Sequence, residues 1–422
     1  MASQGRILKA AAAASLVAVV ATACSSSSDD GGDTSKGTDG KGAITFAMGK
    51  NDTDKIKPVI DKWNETHPDE KVTLHELAGE QDAQRDALSQ SLQAKGKDYD
   101  VFALDVTDTA YFAANGWLQS IEGDTKVDTS GLVKAAVDSA TYNGKLYAVP
   151  QNTNAQLLYY RTDLQPEAPK NWEELTRSCE KAKQAAVDCL DLQLKQYEGL
   201  SVATTQFINS WGGQVVDADG KTPKLDSPGT KEGMQALVDA YKADVVAKKS
   251  DGFTEEETAQ AFLGGRTMYA YNWPYMYDKG ETDPTSTVKG KFKVAPIVGK
   301  DGTGKSTLGG YNNAINVNSE HKATAKAFVE YMISEDVQMG FAKQSFPPVL
   351  SKIYDDGALK QEFPYMEALK AALDNATPRP VSPFYPQVSK AIQDNSFAAL
   401  KDQKTVDQAI TDMSAAISQA KK

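Results

Sequence analysis

Between Ala43 and Leu104 the apolar residues change period in a fixed order, and that order restricts the fold more than any other feature of the chain. Ala43 to Met48 alternates, with Ile44, Phe46 and Met48 on one face, the period of a strand. Lys55 to Asn64 spaces Ile56, Val59, Ile60 and Trp63 as one face of a helix, which His67-Pro68 stops. Val72 and Leu74 begin a second strand. Gln81 to Lys95 reads as a polar helix with Ala87, Leu88, Ser91 and Leu92 inward, and Tyr99 to Leu104 as a short buried strand. A β-α-β-α-β order needs crossover helices, so it implies an α/β layer with largely parallel strands.

The start of the chain defines the compartment. Arg6 and Lys9 precede an uncharged Ala- and Val-rich run, Ala10 to Ala23, then Cys24 and the tract Ser25 to Ser28. The run is shorter than the roughly 20 residues that span a bilayer, so it reads as an export signal over residues 1–23. Ala21-Thr22-Ala23-Cys24 resembles a bacterial lipobox, in which the cysteine is lipidated and begins the mature chain. Residues 24–42 are Ser, Asp, Gly, Thr and Lys with hardly an apolar side chain, a composition that forms a flexible tether. The folded part then covers about 380 residues, enough for two domains. At 40% hydrophobic and 24% charged residues it is ordinary globular protein.

With 46 basic and 57 acidic residues the chain is a poor ligand for nucleic acid or an anionic membrane surface. Cys179 and Cys189 are the cysteines left for the folded body. In an exported protein they are expected to pair as a structural disulfide.

A second unit follows the first. Gly144 to Pro150 and Leu157 to Arg161 read as strands, and Asn171-Trp172-Glu173-Glu174 as a capped helix start. Helices fill much of Trp172 to Lys249, with a break near Trp211-Gly212-Gly213. Met268 to Tyr271, Phe292 to Val298 and Ala314 to Val317 read as strands. A helix carrying Ala325, Phe328, Val329 and Met332 follows, and Val388 to Ala420 is helical.

Two motif families are excluded. Gly299 to Ser306 fits the phosphate-loop pattern G-x-x-x-x-G-K-[ST], but Thr307-Leu308-Gly309-Gly310 behind it is a poor helix. His67, His75 and His321, the three histidines, lack metal-ligand spacing, and neither a nucleophile elbow nor H-E-x-x-H occurs. No catalytic residue, metal or cofactor is therefore expected.

What the loops do concentrate is the chemistry of sugar recognition: aromatic rings for C–H faces, carboxylates and carboxamides for hydroxyls, and an arginine. Asp105 follows a strand at its carboxyl end, where ligands of open α/β sheets lie. Gln151, Asn152 and Asn154 follow Pro150. Tyr271-Asn272-Trp273-Pro274-Tyr275 ends another strand, Gly309-Gly310-Tyr311-Asn312-Asn313 combines open backbone with amides, and Arg379 sits between two prolines.

Taken together, Tyr99 to Asp105, Leu146 to Pro150, Leu158 to Leu164, Asn272-Trp273-Pro274-Tyr275, Leu308-Gly309-Gly310 and Arg379 to Tyr385 resemble the family 1 extracellular solute-binding proteins of carbohydrate ABC importers, nearest the trehalose/maltose (α-glucoside) binders. The resemblance implies a two-lobed periplasmic-binding-protein-like α/β fold with the ligand cleft between lobes. Lobe one would be 43–151 plus 311–354, and lobe two 152–310 plus 355–422. It implies sugar contacts from Asp105, Trp273, Tyr275, Gly310 and Arg379, with Asn152, Asn154 and Tyr311 beside them and the first loop, Gly49-Lys50-Asn51-Asp52, facing the cleft through Lys50, Asn51 or Asp52. Asn154 stands where those binders carry Asp, and Tyr311 where a Trp can follow L-G-G. The implied protein is a monomeric lipoprotein on the outer face of the cell membrane, held by Cys24, capturing a neutral disaccharide for importer membrane subunits. Two rival readings are a cell-surface glycan hydrolase, which needs two carboxylates about 5–10 Å apart, and a binder of a non-sugar solute.

Overall fold

The computed structural model describes residues 40–217 and 219–420. The signal, Cys24 and most of the expected tether lie outside the described residues. Residues 40–42, expected within that tether, are already fastened to the fold. The Gly40 carbonyl accepts from Ala323 N at 2.8 Å, and Gly42 N donates to Thr324 Oγ1 at 3.1 Å.

Twelve strands organise the described chain: β1 Ile44–Gly49, β2 Val72–Leu77, β3 Val101–Asp105, β4 Thr141–Tyr142, β5 Lys145–Leu146, β6 Ala148–Ala155, β7 Leu157–Arg161, β8 Asp188–Asp191, β9 Thr267–Asn272, β10 Phe292–Pro296, β11 Thr307–Ile315 and β12 Thr377–Pro378. One sheet runs β12-β11-β3-β1-β2, with β6 also paired to β11. The other runs β10-β7-β9-β8, and β4-β5 is a separate ribbon. This is the two-lobed α/β fold that the element order implies.

In the first sheet β1 pairs in parallel with both β2 and β3, as the β-α-β-α-β order requires. Period-two alternation divides its faces. Ile44, Phe46, Met48, Val101 and Ala103 pack with Trp63, Phe328 and Phe341. Ala47, Phe102 and Leu104 pack with Leu88, Leu92 and Phe112 on the opposite side. The Gln81–Gln93 helix buries Gln84, Leu88, Ser89 and Leu92. Ala87, expected inward, is exposed, because the helix turns Gln84 toward the cleft instead.

The second sheet is likewise covered on both faces. Leu158, Tyr160, Leu190, Met268, Tyr269 and Tyr271 join the Trp172–Gln184, Glu198–Ser210 and Tyr385–Leu400 helices in the largest core. Leu157, Tyr159, Ala270 and Phe292 meet Phe262 and Tyr365 on the other face. β8 lies inside the span read as helical. The helical tail is two helices, Tyr385–Leu400 and Val406–Ala420, separated by Asp402 at φ 57°.

β6 and β11 carry the chain between sheets. β6 stays in the first sheet to Ala155 and β11 enters it at Thr307, a few residues outside the 151/152 and 310/311 borders read from sequence. Gln156, between β6 and β7, is fixed by a buried amide chain: it donates to Gln193 Oε1 at 2.9 Å and accepts from Gln206 at 3.1 Å. The phosphate-loop look-alike is a tight turn. Gly299 N donates to Gly302 O, Gly304 N to Ile297 O and Lys305 N to Ser210 Oγ, and strand β11 follows rather than a helix. Those amides are committed to the fold, so none cradles a phosphate.

Cys179 and Cys189 form a disulfide that joins the Trp172–Gln184 helix to β8. Closing so short a loop stabilises by about 3 kcal/mol in the chain-entropy model. The double Cys179→Ala, Cys189→Ala variant should lose that stability in denaturant titration and keep its ligand affinity by calorimetry.

Candidate functional site

The carboxyl ends of β1, β2 and β3 all point to one cleft, as expected of parallel strands in an open sheet. Asn51 and Asp52 follow β1, Gly79 follows β2, and Asp105 ends β3. The facing wall comes from the second lobe. It comprises Tyr197, Glu198 and Gly199 at the start of the Glu198–Ser210 helix, Glu255 at the start of the Glu255–Leu263 helix, and Trp273 and Tyr275 just after β9. The crossing segments supply Asn154, Gly309, Gly310, Tyr311 and Arg379. The walls of the cleft stand close around about 670 Å³ of space that is partly open to solvent.

Arg379 is the hub. It is 6% exposed and follows β12, which pairs with β11. Its Nη1 donates to Glu198 Oε1 at 2.7 Å and its Nη2 lies 3.0 Å from Asp105 Oδ1. Burial works against its charge, but Asp105, Tyr385 and Glu198 outweigh that and keep it protonated. Glu198 also accepts from the Tyr385 hydroxyl at 2.6 Å and from Ser389 Oγ. Burial, opposed by Arg379, still raises its pKa. Removing one member of such a buried set leaves charges unpaired, typically at a cost of about 3–5 kcal/mol.

Contacts also join the lobes at the rim. Asp82 Oδ2, at the start of the Gln81–Gln93 helix, accepts from Glu198 N at 2.9 Å and so caps a helix of the other lobe. Lys195 pairs with Glu80 at 2.7 Å, and Lys55 with Asp278 at 2.8 Å.

Of the residues expected from sequence, Asn51, Asp52, Asp105, Asn154, Trp273, Tyr275, Gly310, Tyr311 and Arg379 line this one cleft. Asn152 does not. It is fully buried, and its Oδ1 accepts from Tyr311 N at 2.9 Å beside the irregularity in the β6–β11 pairing. It shapes the strand that carries Tyr311, because a bulged strand leaves a main-chain donor to satisfy. Lys50 is exposed and outside the lining.

Sequence reasoning missed Gln81, Gln84, Tyr197, Glu198 and Glu255. Gln81 is held from both ends, donating to Asp108 Oδ2 and accepting from Arg85 at 3.5 Å. Glu255 accepts from the Tyr197 hydroxyl at 2.6 Å. Asn154 Oδ1 and the Tyr275 hydroxyl are buried, line the cleft and, among the described residues, have no well-formed hydrogen bond, although Glu256 lies near the Tyr275 hydroxyl. Such atoms are costly unless something else meets them.

The half-buried Trp273 ring lies against Gly309. A Cβ on Gly309 would come within 2.8 Å of Trp273 Cζ3 and 2.9 Å of Cη2. Gly310 adopts φ +129°, and a Cβ there would meet the Asn152 carbonyl at 2.5 Å.

The sequence profile of the bacterial extracellular solute-binding proteins matches residues 49–339, and the chain belongs to that family. It is an extracellular solute-binding protein, a binding protein rather than an enzyme. A probable ABC transporter-binding protein of Deinococcus radiodurans is 30% identical over 373 residues, covering 82% of this chain and 86% of that one. Maltose-bound MalE3 of T. maritima superposes with a TM-score of 0.83 at 30% identity, over 89% of this chain and 98% of that one. The GacH receptor of Streptomyces glaucescens, solved unliganded and with acarbose, shares the fold at 21% identity and a TM-score of 0.81, covering 90% and 98%.

Gly309→Ala should push the Trp273 ring from its seat. Overpacking of this kind costs about 1–3 kcal/mol, so ligand affinity measured by calorimetry should fall roughly tenfold.

Proposed function

We propose that the cleft captures an α-linked disaccharide such as maltose or trehalose by hinge closure and presents it to the importer's membrane subunits. The observation that carries this reading is the convergence on one narrow cleft of Trp273, a ring for a sugar face, with Arg379, Asp105, Asn154 and Tyr275, groups for its hydroxyls. The maltose in the MalE3 relative supports an α-glucoside. A mannitol-binding protein of Pseudomonas aeruginosa, 23% identical over 70% of each chain, makes a polyol the outcome to test against.

The lobes of this reading are 43–151 with 311–354, and 152–310 with 355–422. A ligand touching both favours the closed arrangement by its differential affinity. The protein acts as a monomer, held to the outer face of the membrane by lipid on Cys24.

Thermal-shift screening of maltose, trehalose and mannitol tests the ligand. A sugar at 100 times its dissociation constant adds about 2.7 kcal/mol of stability. Stabilisation by mannitol and not by either disaccharide would overturn the α-glucoside reading. Trp273→Ala should weaken binding of the best sugar by about 30-fold or more with little loss of stability. Arg379→Ala should weaken it as much, but with a loss of about 3–5 kcal/mol in denaturant titration, because Asp105 and Glu198 are left buried and unpaired. From sequence alone, Arg379 reads as a loop residue whose removal spares the fold, and its burial changes that expectation.

The Cys24→Ala variant should leave the membrane fraction for the soluble one. Retention of that variant in membranes, with no acyl mass on the wild type, would rule out the anchor.

A further inference from the structure

Asp52 stands apart from the other acids of the cleft. Asp105 and Glu198 share Arg379, and Glu255 accepts from Tyr197. Asp52 is 8% exposed and lines the cleft, yet among the described residues no donor hydrogen-bonds to its carboxyl. The cations near it are engaged elsewhere. Lys55 Nζ lies 3.0 Å from Asp54 and 2.8 Å from Asp278, and Lys279 Nζ lies 3.3 Å from Glu256. The Tyr275 and Tyr311 side chains also lie close enough to feel its charge. These groups belong to both lobes, so the Asp52 side chain is largely covered where the Tyr275–Thr282 helix meets the first lobe.

Resting on the sugar-binding reading above, we propose that Asp52 makes closure conditional on a hydrogen-bond donor: the lobes close over a ligand that gives Asp52 a hydroxyl, and without ligand they close only when a proton takes that place.

The physical reason is desolvation. A carboxylate facing water in a parted cleft keeps its hydration, and one largely covered with no partner loses most of it without return. A sugar hydroxyl restores a charge-assisted hydrogen bond, while protonation removes the charge. The surroundings agree: burial first, then Asp54, push the Asp52 pKa up to about 7 against Lys279 and Lys55, with Glu256 adding a further rise. The closed form thus holds a proton that the parted form, with an ordinary carboxylate, releases. Ligand-free closure is favoured at low pH, loses ground as pH rises from about 4 to about 7, and stays disfavoured above that.

Small-angle scattering of the ligand-free protein at pH 5 and pH 8, with and without maltose, reads this directly. The closure equilibrium of the wild type should be about 100-fold more favourable at pH 5 than at pH 8, seen as a smaller radius of gyration at pH 5. Maltose should compact it at both. Asp52→Asn, which cannot ionise, should be compact without ligand at both pH values, and Asp52→Ser serves if the amide variant does not fold. Equal wild-type radii at pH 5 and pH 8, or a pH response that persists in the Asp52 variants, overturns the proposal. A pH response confined to the wild type, with no compaction by maltose, trehalose or mannitol, sinks the sugar reading and leaves the Asp52 proposal standing.

Discussion

The cleft depends on one buried cation. Arg379 reaches Asp105 at the end of a first-sheet strand and Glu198 at the start of a second-lobe helix. Each partner alone would be a poor place for a charge. Asp105 is mostly covered and Glu198 is sealed among Tyr385 and Ser389. Together they make the guanidinium tolerable, and it makes them tolerable in return. The pieces of chain it unites lie far apart in sequence, so the geometry of the ligand wall is a product of the whole fold.

The acids of the cleft therefore do not amount to a binding site for a cation. Four carboxylates line it against one arginine, but Asp105, Glu198 and Glu255 already have donors. Glu198 and Glu255 also stand at helix N-termini, where partial positive charge favours an anion. They act as oriented acceptors, which suits hydroxyls. The aromatic side is as constrained: Trp273 follows β9, and its ring rests on a glycine of a crossing strand.

Much of this was legible in the sequence. The alternation of Ile44, Phe46 and Met48 and the spacing of Ala325, Phe328, Val329 and Met332 each reported a real buried face, because burial on one side leaves a period. β8 was not legible. Its four residues include Asp188 and Asp191, and nothing local shows that Asp191 is fully buried beside Lys249 at 3.6 Å. The start of β11 was read as a loop of open backbone around Gly309 and Gly310, whereas here those glycines sit in the strand and make room for Trp273 and for the neighbouring strand. In the site, Asp105, Trp273 and Tyr275 could be singled out because strand ends and a short aromatic motif mark them, and Arg379 because two prolines flank it. Glu198 and Glu255 could not, since an acid in a helix's first turn ordinarily faces water. Asn152 was misread for the opposite reason: an amide beside a ligand loop has the same composition as one that holds the loop's own backbone.

Glu198 carries two attachments of different kinds. Its main-chain N–H is capped by Asp82 from the other lobe, while its side chain holds Arg379. A residue used in this way ties the resting posture of the molecule to the reading of its cargo. Drift at the rim that loosened Asp82 would also disturb the arginine within, and a change of arginine partner to suit a new cargo would alter how readily the rim parts. In lineages descending from this chain, selectivity and resting conformation are expected to change together, with residues on both sides of Glu198 substituted in concert.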